Sequence, residues 1–416
     1  MPDQGRQGDY FRKGLGYRDE VAGILAHDFN SDLVAEIIAR GYIVETPGLT
    51  ILMAREFGFC YGVDRALDYA YEARERFPDR RIFITGEVIH NPRVNERLRR
   101  MGIIYLPDGK QSPDRLRDVG PDDVVLLPAF GAEFDDVEKL RGIGCTIVDT
   151  TCGSVLNVWK SVDRYAKDGF TSIVHGKHWH EETRATCSQV NRIPGGRYLV
   201  VLDMDEARWV AGVIRGDKDP REFRRRFAQA ASPGFDPETD LARIGLANQT
   251  TMLSSESLEI GEFLGRAIAE RYGAASLDEH FRSFDTICSA TQDRQDAVQE
   301  LLGKNLDLMI VMGGYNSSNT GHLVEIAGRT VPAYHIEGAR DLLSVRAIRH
   351  LPVGAADPVI SEGWLPPGPV RIGITAGAST PGSQIGRAVH HLLSFRGLTT
   401  EKVFGREILP SREDAT

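Results

Sequence analysis

Three of the chain's five cysteines occupy the same kind of position, between a β-prone run and a run with helical periodicity. Cys60 follows "LTILMAREF" and precedes apolar residues at helical spacing, and Cys152 and Cys288 repeat this arrangement further along the chain. Backbone N–H groups at the start of a helix point outward and favour an anion such as a thiolate. Cys145 and Cys187 lack this setting and are predicted to be packing residues.

Three thiolates that meet at one centre, with no fourth cysteine in the same setting, would make a metal site with an open position. Soft thiolates suit zinc or iron–sulfur clusters. Structural zinc normally takes four protein ligands and often uses close cysteine pairs, which this sequence lacks. A three-cysteine cluster would leave one iron open to act as a Lewis acid and to deliver electrons. From the pattern alone, the alternative that all three are buried strand-end residues stays open.

Two stretches that follow apolar runs are rich in small and hydroxyl-bearing residues. "VMGGYNSSNTGHL" presents Ser317, Ser318 and Asn319 in a row, and "ITAGASTPGSQI" places Ser379 just ahead of Pro381. Hydroxyl and amide donors at a strand end can hold a phosphate, and so can the start of a helix. Either stretch alone would be a turn with a helix cap, but two of them favour a phosphate site.

Candidate acid–base groups lie in three further motifs. His90 follows a strand in "VIHNPRV", and "ANQTTMLS" ends a strand with Gln249, Thr250 and Thr251. The motif "SIVHGKHWHEETRAT" groups His175, His178, His180, Glu181 and Glu182 with Lys177. A cluster of histidine and glutamate can bind a metal, relay protons or grip a phosphate, and histidine titrates near neutrality. The plain alternatives are surface histidines and a threonine that caps a helix.

The elements that must position these residues alternate between short β-rich runs and helical runs, which predicts an α/β fold with largely parallel sheets. A helix is predicted over "DLVAEIIARG" and the first strand near Leu49. Ligands of such sheets gather beyond the carboxyl ends of strands. The further candidate strands are "RIFITGEVI", "DVVLLPAF", "CTIVDTT", "TSIVHG", "RYLVVLD", "ARIGLANQ", "LDLMIVMGG" and "VRIGITAG".

Composition restricts the class of protein. At 416 residues the chain suggests two or three domains, and its formal net charge of −9 disfavours a nucleic-acid-coating surface. The N-terminus has no apolar core of a signal peptide, and no apolar run approaches membrane-spanning length, so we expect a cytoplasmic protein. The charged stretch from Val213 to Asp240 is predicted to be a surface insertion.

Eight motifs together resemble the 4-hydroxy-3-methylbut-2-enyl diphosphate reductase family, in its plant and cyanobacterial branch. They span roughly Leu49 to Ile385 in the family's order, so the resemblance covers nearly the whole chain. The motifs are "GFCYGVDRA", "EVIHNPRV", "VDTTC", "HGKHWHEET", "NQTTMLS", "TICSATQDRQ", "GGYNSSNT" and "GITAGASTP".

The resemblance implies three α/β domains in a trefoil-like, pseudo-threefold arrangement around one central 4Fe–4S cluster. Cys60, Cys152 and Cys288 would be its three ligands, and the fourth iron would be open. The implied boundaries are an N-terminal extension over 1–48, domains over 49–152, 153–288 and 289–395, and a C-terminal tail over 396–416.

The resemblance also implies the reaction, the reductive removal of the hydroxyl group from (E)-4-hydroxy-3-methylbut-2-enyl diphosphate. The products would be isopentenyl and dimethylallyl diphosphate, the last step of the methylerythritol phosphate pathway, with ferredoxin or flavodoxin as the expected electron donor. Glu182 would be the proton source, with Thr250 as its partner near the substrate and His180 beside them. The implied diphosphate contacts are His90, His180, Ser317, Asn319 and Ser379, with Ser318 alongside.

Two positions depart from the family's common pattern. Phe130 stands where many bacterial members have a diphosphate-binding histidine, and Gly153 stands where members usually have proline. "PAFGA" resembles the plant and cyanobacterial branch, so Phe130 is interpreted as a feature of that branch. The competing hypotheses are an iron–sulfur hydro-lyase acting on a phosphorylated substrate, which needs no external electron donor, and a sensor with a labile cluster.

Overall fold

In the computed structural model, which describes residues 8–108, 112, 114–284 and 286–411, short strands alternate with helices along the chain. The strands are β1 (Tyr10–Phe11), β2 (Ile43–Thr46), β3 (Leu49–Met53), β4 (Ile82–Ile84), β5 (Ile103–Tyr105), β6 (Val124–Leu127), β7 (Thr146–Asp149), β8 (Thr171–His175), β9 (Tyr198–Val201), β10 (Ile244–Asn248), β11 (Phe281–Ser283), β12 (Leu308–Met312), β13 (Ala333–Ile336), β14 (Ala347–His350), β15 (Val359–Glu362) and β16 (Val370–Ala376).

The helices follow most of these strands, as expected for α/β units. They are α1 (Arg18–Phe29), α2 (Asp32–Ala39), α3 (Tyr61–Arg76), α4 (Pro92–Arg100), α5 (Phe134–Ile143), α6 (Gly153–Lys167), α7 (Glu181–Asn191), α8 (Met204–Arg215), α9 (Pro220–Arg226), α10 (Pro237–Asp240), α11 (Ser254–Tyr272), α12 (Leu277–His280), α13 (Ser289–Leu302), α14 (Ser318–Gly328), α15 (Gly382–Ser394) and α16 (Thr400–Phe404).

The chain forms two compact units and passes between them several times. The first unit holds the N-terminal segment up to Arg12, Phe83–Gly86 and Tyr105–Cys288. The second unit holds Lys13–Ile82, Glu87–Ile104 and the chain from Ser289 onward.

The first unit is built on two sheets, with strand orders β1-β7-β6-β4-β5 and β11-β10-β8-β9. The pairs β7 with β6, β10 with β8 and β10 with β11 are all parallel. Every residue of β6, β7, β8 and β10 is buried. Strands of a parallel sheet are covered on both faces, which is why these segments have continuous apolar runs in the sequence.

The second unit is built on one sheet of order β13-β12-β16-β3-β2. β12 pairs in parallel with β13 and β16, β16 pairs in parallel with β3, and β2 closes the edge in the antiparallel sense. β14 and β15 form a separate antiparallel hairpin. The loops that follow the parallel strands β12, β16 and β3 all lie at the same edge of the sheet, and the polar motifs are in these loops.

The predicted α/β class is confirmed by these three largely parallel sheets. Each predicted β-rich run contains an observed strand, and the helix predicted over "DLVAEIIARG" is α2. The strands β1, β2, β5, β13, β14 and β15 and the helix α1 were not predicted. β3 begins at the predicted Leu49, but it is not the first strand, because β1 and β2 precede it. The strand nearest to the β-prone run ahead of Cys288 is β11, which ends at Ser283. The apolar signal of α1 is weak, because this helix buries only Val21, Asp28 and Phe29.

The charged stretch from Val213 to Asp240 is anchored in the core of the first unit. Asp219 caps α9 by accepting a hydrogen bond from the backbone N–H of Arg221 at 2.8 Å. Phe223 and Phe227 lie one turn apart with ring centroids at 4.5 Å, and both are 1% exposed. The prediction of a surface insertion therefore describes only the arginine-bearing face of this segment.

The described part of the N-terminal segment belongs to the sheets and helices of the fold. β1 pairs in parallel with β7, and Leu33 and Ile37 of α2 are fully buried in the core of the second unit. At the other end of the chain, Ile408 is buried in the same core. Residues 1–7 of the predicted extension and 412–416 of the predicted tail lie outside the described residues, and the predicted domain boundaries stay predictions.

Among the described residues, none of the helices combines the length and the apolar character that crossing a membrane requires.

Glu72 fixes the entry of the chain into α1. Its side chain is on α3 and is 2% exposed, and its Oε2 accepts hydrogen bonds from the backbone N–H groups of Leu15 and Tyr17 at 2.7 and 3.1 Å. A buried carboxylate that accepts two backbone N–H groups holds a segment more firmly than an exposed ion pair does.

We expect Glu72→Ala to lower the free energy of unfolding by about 1–3 kcal/mol, because two backbone donors lose a charged acceptor. Urea denaturation measures this loss, and amide hydrogen exchange should show lost protection at residues 15 and 17. Glu75→Ala is the matched control, because Glu75 is on the same helix and exposed. Equal midpoints for the two variants would contradict the prediction.

Candidate active site

The three cysteines singled out in the sequence all lie at helix N-termini. Cys60 is the N-cap of α3, Cys152 is the N-cap of α6, and Cys288 directly precedes α13. All three are partly exposed, whereas Cys145 and Cys187 are buried. Burial raises the pKa of the Cys187 thiol far above its usual value. Only the first three cysteines therefore combine access with a helix N-terminus that favours a thiolate.

Each of these cysteines is held by the loop that follows the neighbouring strand of its own sheet. The backbone N–H of the cysteine donates to a carbonyl oxygen of that loop in all three cases. The pairs are Cys60 with Ala378 at 3.2 Å, Cys152 with Ala129 at 2.9 Å, and Cys288 with Thr250 at 3.4 Å.

The turn before Cys60 depends on a glycine and a buried arginine. Gly58 has a φ of 74°, in the left-handed region that favours glycine. A Cβ at this position would also lie 3.2 Å from the carbonyl oxygen of Thr380. Nη2 of Arg294, which is 3% exposed, donates to the carbonyl of Gly58 at 2.6 Å. The left-handed conformation of Gly58 and the hydrogen bond from Arg294 therefore fix the turn that leads into Cys60.

The second unit forms an anion cradle, defined here as Ser317, Ser318, Asn319 and Ser379 with the two loops that carry them. Ser317 is the N-cap of α14, and its Oγ accepts a hydrogen bond from the backbone N–H of Thr320. Oγ of Ser318 and Nδ2 of Asn319 are buried, and neither has a hydrogen-bond partner among the described residues. Buried polar groups without partners are rare in folded proteins, and here they indicate donors prepared for a ligand.

The two loops of the anion cradle are tied to each other. Oδ1 of Asn319 accepts a hydrogen bond from the backbone N–H of Ala378 at 3.0 Å, which fixes the orientation of the amide and leaves Nδ2 as its donor. A Cβ on Gly377 would lie 2.1 Å from Oγ1 of Thr320, so α14 and the second loop meet at a distance that only glycine allows. Oγ of Ser379 donates to the carbonyl of His90 at 3.0 Å.

His90 also lies in the second unit, next to a carboxylate that was not singled out in the sequence. Its side chain is 7% exposed, and its Nδ1 lies 3.0 Å from Oε2 of Glu87. Nδ2 of Asn316 donates to the same oxygen at 2.9 Å. Burial acts to raise the pKa of Glu87, but the hydrogen bonds from His90 and Asn316 outweigh burial and lower this pKa. The three-residue spacing from Glu87 to His90 is the only sequence signal for this pair.

The first unit brings together Glu182, in the first turn of α7, and Thr250, in the loop after β10. Glu182 is 1% exposed, and its carboxylate accepts the backbone N–H of Thr250 at 2.6 Å and the Thr250 hydroxyl at 3.0 Å. Gln249 fixes the two loops, because its Oε1 accepts the backbone N–H of Lys177 and the hydroxyl of Thr183, both at 3.1 Å. Glu182 and Thr250 thus form one buried acid–hydroxyl pair.

His180 precedes this pair as the N-cap of α7. Its Nδ1 accepts a hydrogen bond from the backbone N–H of Glu182 at 3.1 Å, so the proton of the neutral ring lies on Nε2. Phe130 packs edge-to-face against the same ring, with centroids 5.7 Å apart. Phe130, one of the two positions noted as departures in the sequence analysis, therefore makes an aromatic contact with His180.

The residues singled out in the sequence thus fall into two sets. The second unit holds His90, Ser317, Ser318, Asn319 and Ser379 together with Cys60. The first unit holds His180, Glu182 and Thr250 together with Cys152 and Cys288.

Comparison with known proteins adds relatives of nearly full length. The chain is 47% identical to 4-hydroxy-3-methylbut-2-enyl diphosphate reductase of Acaryochloris marina, over 95% of this chain and 96% of that protein. It is 48% identical to the protein of the same name from Thermosynechococcus vestitus, over 94% and 96% of the two chains.

Solved structures agree at the level of the fold. A structure of (E)-4-hydroxy-3-methyl-but-2-enyl diphosphate reductase, described as the terminal enzyme of the non-mevalonate pathway, matches with a TM-score of 0.51 at 25% identity, over 83% of this chain and 99% of that one. A Plasmodium falciparum E-1-hydroxy-2-methyl-but-2-enyl-4-diphosphate reductase matches with a TM-score of 0.61 at 21% identity, over 85% and 91%. A model of the LytB protein family matches residues 51–393, and with relatives of such identity and coverage the chain belongs to this family.

Proposed function

We propose that this chain is a 4-hydroxy-3-methylbut-2-enyl diphosphate reductase, an oxidoreductase that converts (E)-4-hydroxy-3-methylbut-2-enyl diphosphate to isopentenyl and dimethylallyl diphosphate. Each turnover takes up two electrons and two protons, and the substrate hydroxyl leaves as water. The observation that carries this proposal is the anion cradle, in which buried donors on Ser318 and Asn319 have no hydrogen-bond partner within the described part of the chain. The names of the curated relatives support the same reaction.

Cys60, Cys152 and Cys288 would hold one 4Fe–4S cluster with three thiolate ligands and an open fourth iron. The chemistry of the donor set fits such a cluster, because each thiol is partly exposed and lies at a helix N-terminus. When bound, the cluster supplies electrons and a Lewis-acidic iron to the reaction. The electrons come from a small donor protein of the ferredoxin or flavodoxin type.

The diphosphate binds to neutral donors and to histidines. Ser317, Ser318 and Asn319 offer hydroxyl and amide donors, and His90 and His180 add ring N–H groups. The Ser379 hydroxyl donates to the carbonyl of His90, so Ser379 would join them by rotating this hydroxyl toward the diphosphate. Hydrogen bonds to a charged group contribute about 1.5–3 kcal/mol each, so a few such contacts anchor a diphosphate in a chain of net negative charge.

Glu182 and Thr250 deliver a proton to the hydroxyl group that leaves the substrate. The Thr250 hydroxyl donates to the Glu182 carboxylate at 3.0 Å, and a hydroxyl can accept one proton while it donates another. When Glu182 is protonated this hydrogen bond reverses, so that the Glu182 O–H donates to the Thr250 oxygen and the Thr250 O–H donates to the departing hydroxyl group. Thr250 gives its own proton to the leaving water and takes up the proton of Glu182. Because the pair is buried, bulk water does not compete for this transfer.

The direct test is anaerobic turnover of the cluster-loaded protein, with the substrate and reduced methyl viologen as electron donor. We expect dye oxidation only when substrate is present, together with both diphosphate products. Glu182→Gln should reduce turnover by about 10²–10⁴-fold, the usual contribution of a positioned acid, and should leave pyrophosphate affinity nearly unchanged.

Two outcomes would overturn this function. An intact cluster without dye oxidation would favour a hydro-lyase or a cluster-based sensor. Full turnover by the Glu182→Gln variant would show that Glu182 is not on the proton path.

The cluster ligands are tested by single cysteine-to-serine variants. We expect the iron content and the visible iron–sulfur absorption to fall strongly in Cys60→Ser, Cys152→Ser and Cys288→Ser, because a serine hydroxyl is a poor ligand for iron in a cluster. Cys145→Ser and Cys187→Ser are the matched controls and should keep both signals. A control variant that loses its cluster while still folded would contradict the assignment.

The anion cradle is tested by two neighbouring serines. Ser318→Ala removes a donor that bonds to none of the residues the structure describes, so we expect pyrophosphate affinity to fall about tenfold to a hundredfold with unchanged stability. Ser317→Ala also removes the cap of α14, so it should lose affinity and about 1 kcal/mol of stability. Calorimetric titration and urea denaturation separate the two effects. Unchanged affinity in Ser318→Ala would exclude its hydroxyl from the binding site.

A further inference from the structure

His335 lies in β13, beside the loop that leads from β12 into α14. It is 2% exposed, and it was not singled out in the sequence. Its Nε2 lies 3.1 Å from the carbonyl oxygen of Gly313. Because a carbonyl oxygen can only accept a hydrogen bond, Nε2 carries the proton and donates it to Gly313.

The ring of His335 is neutral near pH 7. Burial lowers its pKa to about 4, and the charge of His350 acts in the same direction. Hydrogen bonding to the backbone of Gly313 and Gly314 and the charge of Asp341 act to raise this pKa, but burial outweighs them. The contact with Gly313 is therefore a hydrogen bond between neutral groups, and it persists over the range in which most proteins work.

Gly313 and Gly314 form the start of the loop, and this turn has little room to move. A Cβ on Gly313 would lie 2.3 Å from Oγ1 of Thr320, and a Cβ on Gly314 would lie 2.6 Å from the carbonyl oxygen of His90. The N–H of Gly313 donates to the carbonyl of Ile336 at 2.9 Å. Because a peptide group is planar, the hydrogen bond from the histidine ring to the carbonyl fixes the orientation of the peptide that joins the two glycines.

The orientation of this peptide determines where the anion cradle begins. The carbonyl of Gly314 accepts the N–H of Ser317 at 2.9 Å, and Ser317 is the N-cap of α14. The next two residues, Ser318 and Asn319, carry the buried donors of the cradle. A rotation of the glycine peptide would therefore move the cap and the donors that follow it.

The outer part of the loop is held by a different set of contacts. The N–H of Tyr315 donates to Oε1 of Glu337 at 3.3 Å, and the Tyr315 hydroxyl donates to Oδ2 of Asp341 at 3.2 Å. Asp341 is 1% exposed and also accepts a hydrogen bond from Nε of Arg349 at 2.6 Å. The Tyr315 ring packs edge-to-face on His335, with centroids 5.2 Å apart. Loss of the single hydrogen bond from His335 should therefore reorient one peptide without unfolding the loop.

We propose that His335 is a positioning residue of the anion cradle, which donates Nε2–H to the carbonyl of Gly313 and thereby orients the turn into α14. This inference rests on the proposed function, because it deepens the role of the same site. His335 acts through the backbone and does not need to touch the substrate.

The test compares His335→Gln and His335→Leu with the wild-type, cluster-loaded protein. The amide of glutamine can place an N–H where Nε2 of histidine lies, whereas leucine fills the space without a donor. We expect His335→Leu to raise the Kd for inorganic pyrophosphate and the KM for substrate about tenfold, with kcat within about twofold. His335→Gln should keep the Kd and the KM within about threefold of the wild type. If His335→Leu does not fold, His335→Asn replaces it, because the shorter amide does not reach the Gly313 carbonyl.

His350 provides the matched control. It is a second buried histidine of the same unit, but its Nε2 lies 2.8 Å from Oγ of Ser361, within the hairpin of β14 and β15. Burial lowers its pKa as well. His350→Leu and His350→Gln should both keep the wild-type affinity for pyrophosphate, whatever their effect on the free energy of unfolding.

The outcomes separate this inference from the proposed function. A wild-type protein that binds pyrophosphate but does not reduce the substrate would overturn the reductase function, while the binding comparison would still decide the role of His335. Equal Kd and KM in the wild type and His335→Leu would overturn that role. An equal loss of affinity in His335→Leu and His335→Gln would overturn it too, because packing and not the hydrogen bond would then be the cause. A fall in kcat alone would also contradict it, because a residue that orients binding groups affects binding first.

Discussion

The site of this protein depends on one repeated hydrogen bond, in which the N–H of a cysteine at the start of a helix donates to a carbonyl beyond the end of the neighbouring strand. The contact occurs once in each of the three sheets. It is possible because parallel neighbours bring their carboxyl ends to the same edge. The register of each strand pair therefore sets the location of a thiol, and a slip in one pair would move a proposed ligand of the cluster.

In the second unit this contact is shared with the anion cradle through a single residue. The carbonyl of Ala378 accepts the N–H of Cys60, and the N–H of Ala378 donates to the side chain of Asn319. Ala378 thus links the loop that carries Cys60, a proposed cluster ligand, to the loop that we propose binds the diphosphate. The glycine before it, Gly377, permits the close approach of α14. A disturbance of either loop is therefore transmitted to the other.

Most of the framework could be predicted from the sequence, because buried parallel strands form continuous apolar runs and because each cysteine precedes a strong helical pattern. The pairing of β3 with β16 could not, since it joins segments from opposite ends of the chain and no local signal specifies it. The contact between Glu87 and His90 could not either, because an acidic residue near a histidine is common and only the 3.0 Å distance in the structure distinguishes this pair. Likewise, Phe223 and Phe227 lie within a charged segment whose composition suggested exposure.

The pairing of β3 with β16 has a consequence for biosynthesis. Cys60 is synthesised long before its backbone acceptor Ala378 and the strand β16 that positions it. The closure of such a long loop delays folding until both ends exist. The turn that carries Cys60 therefore reaches its final position only once β16 has been made.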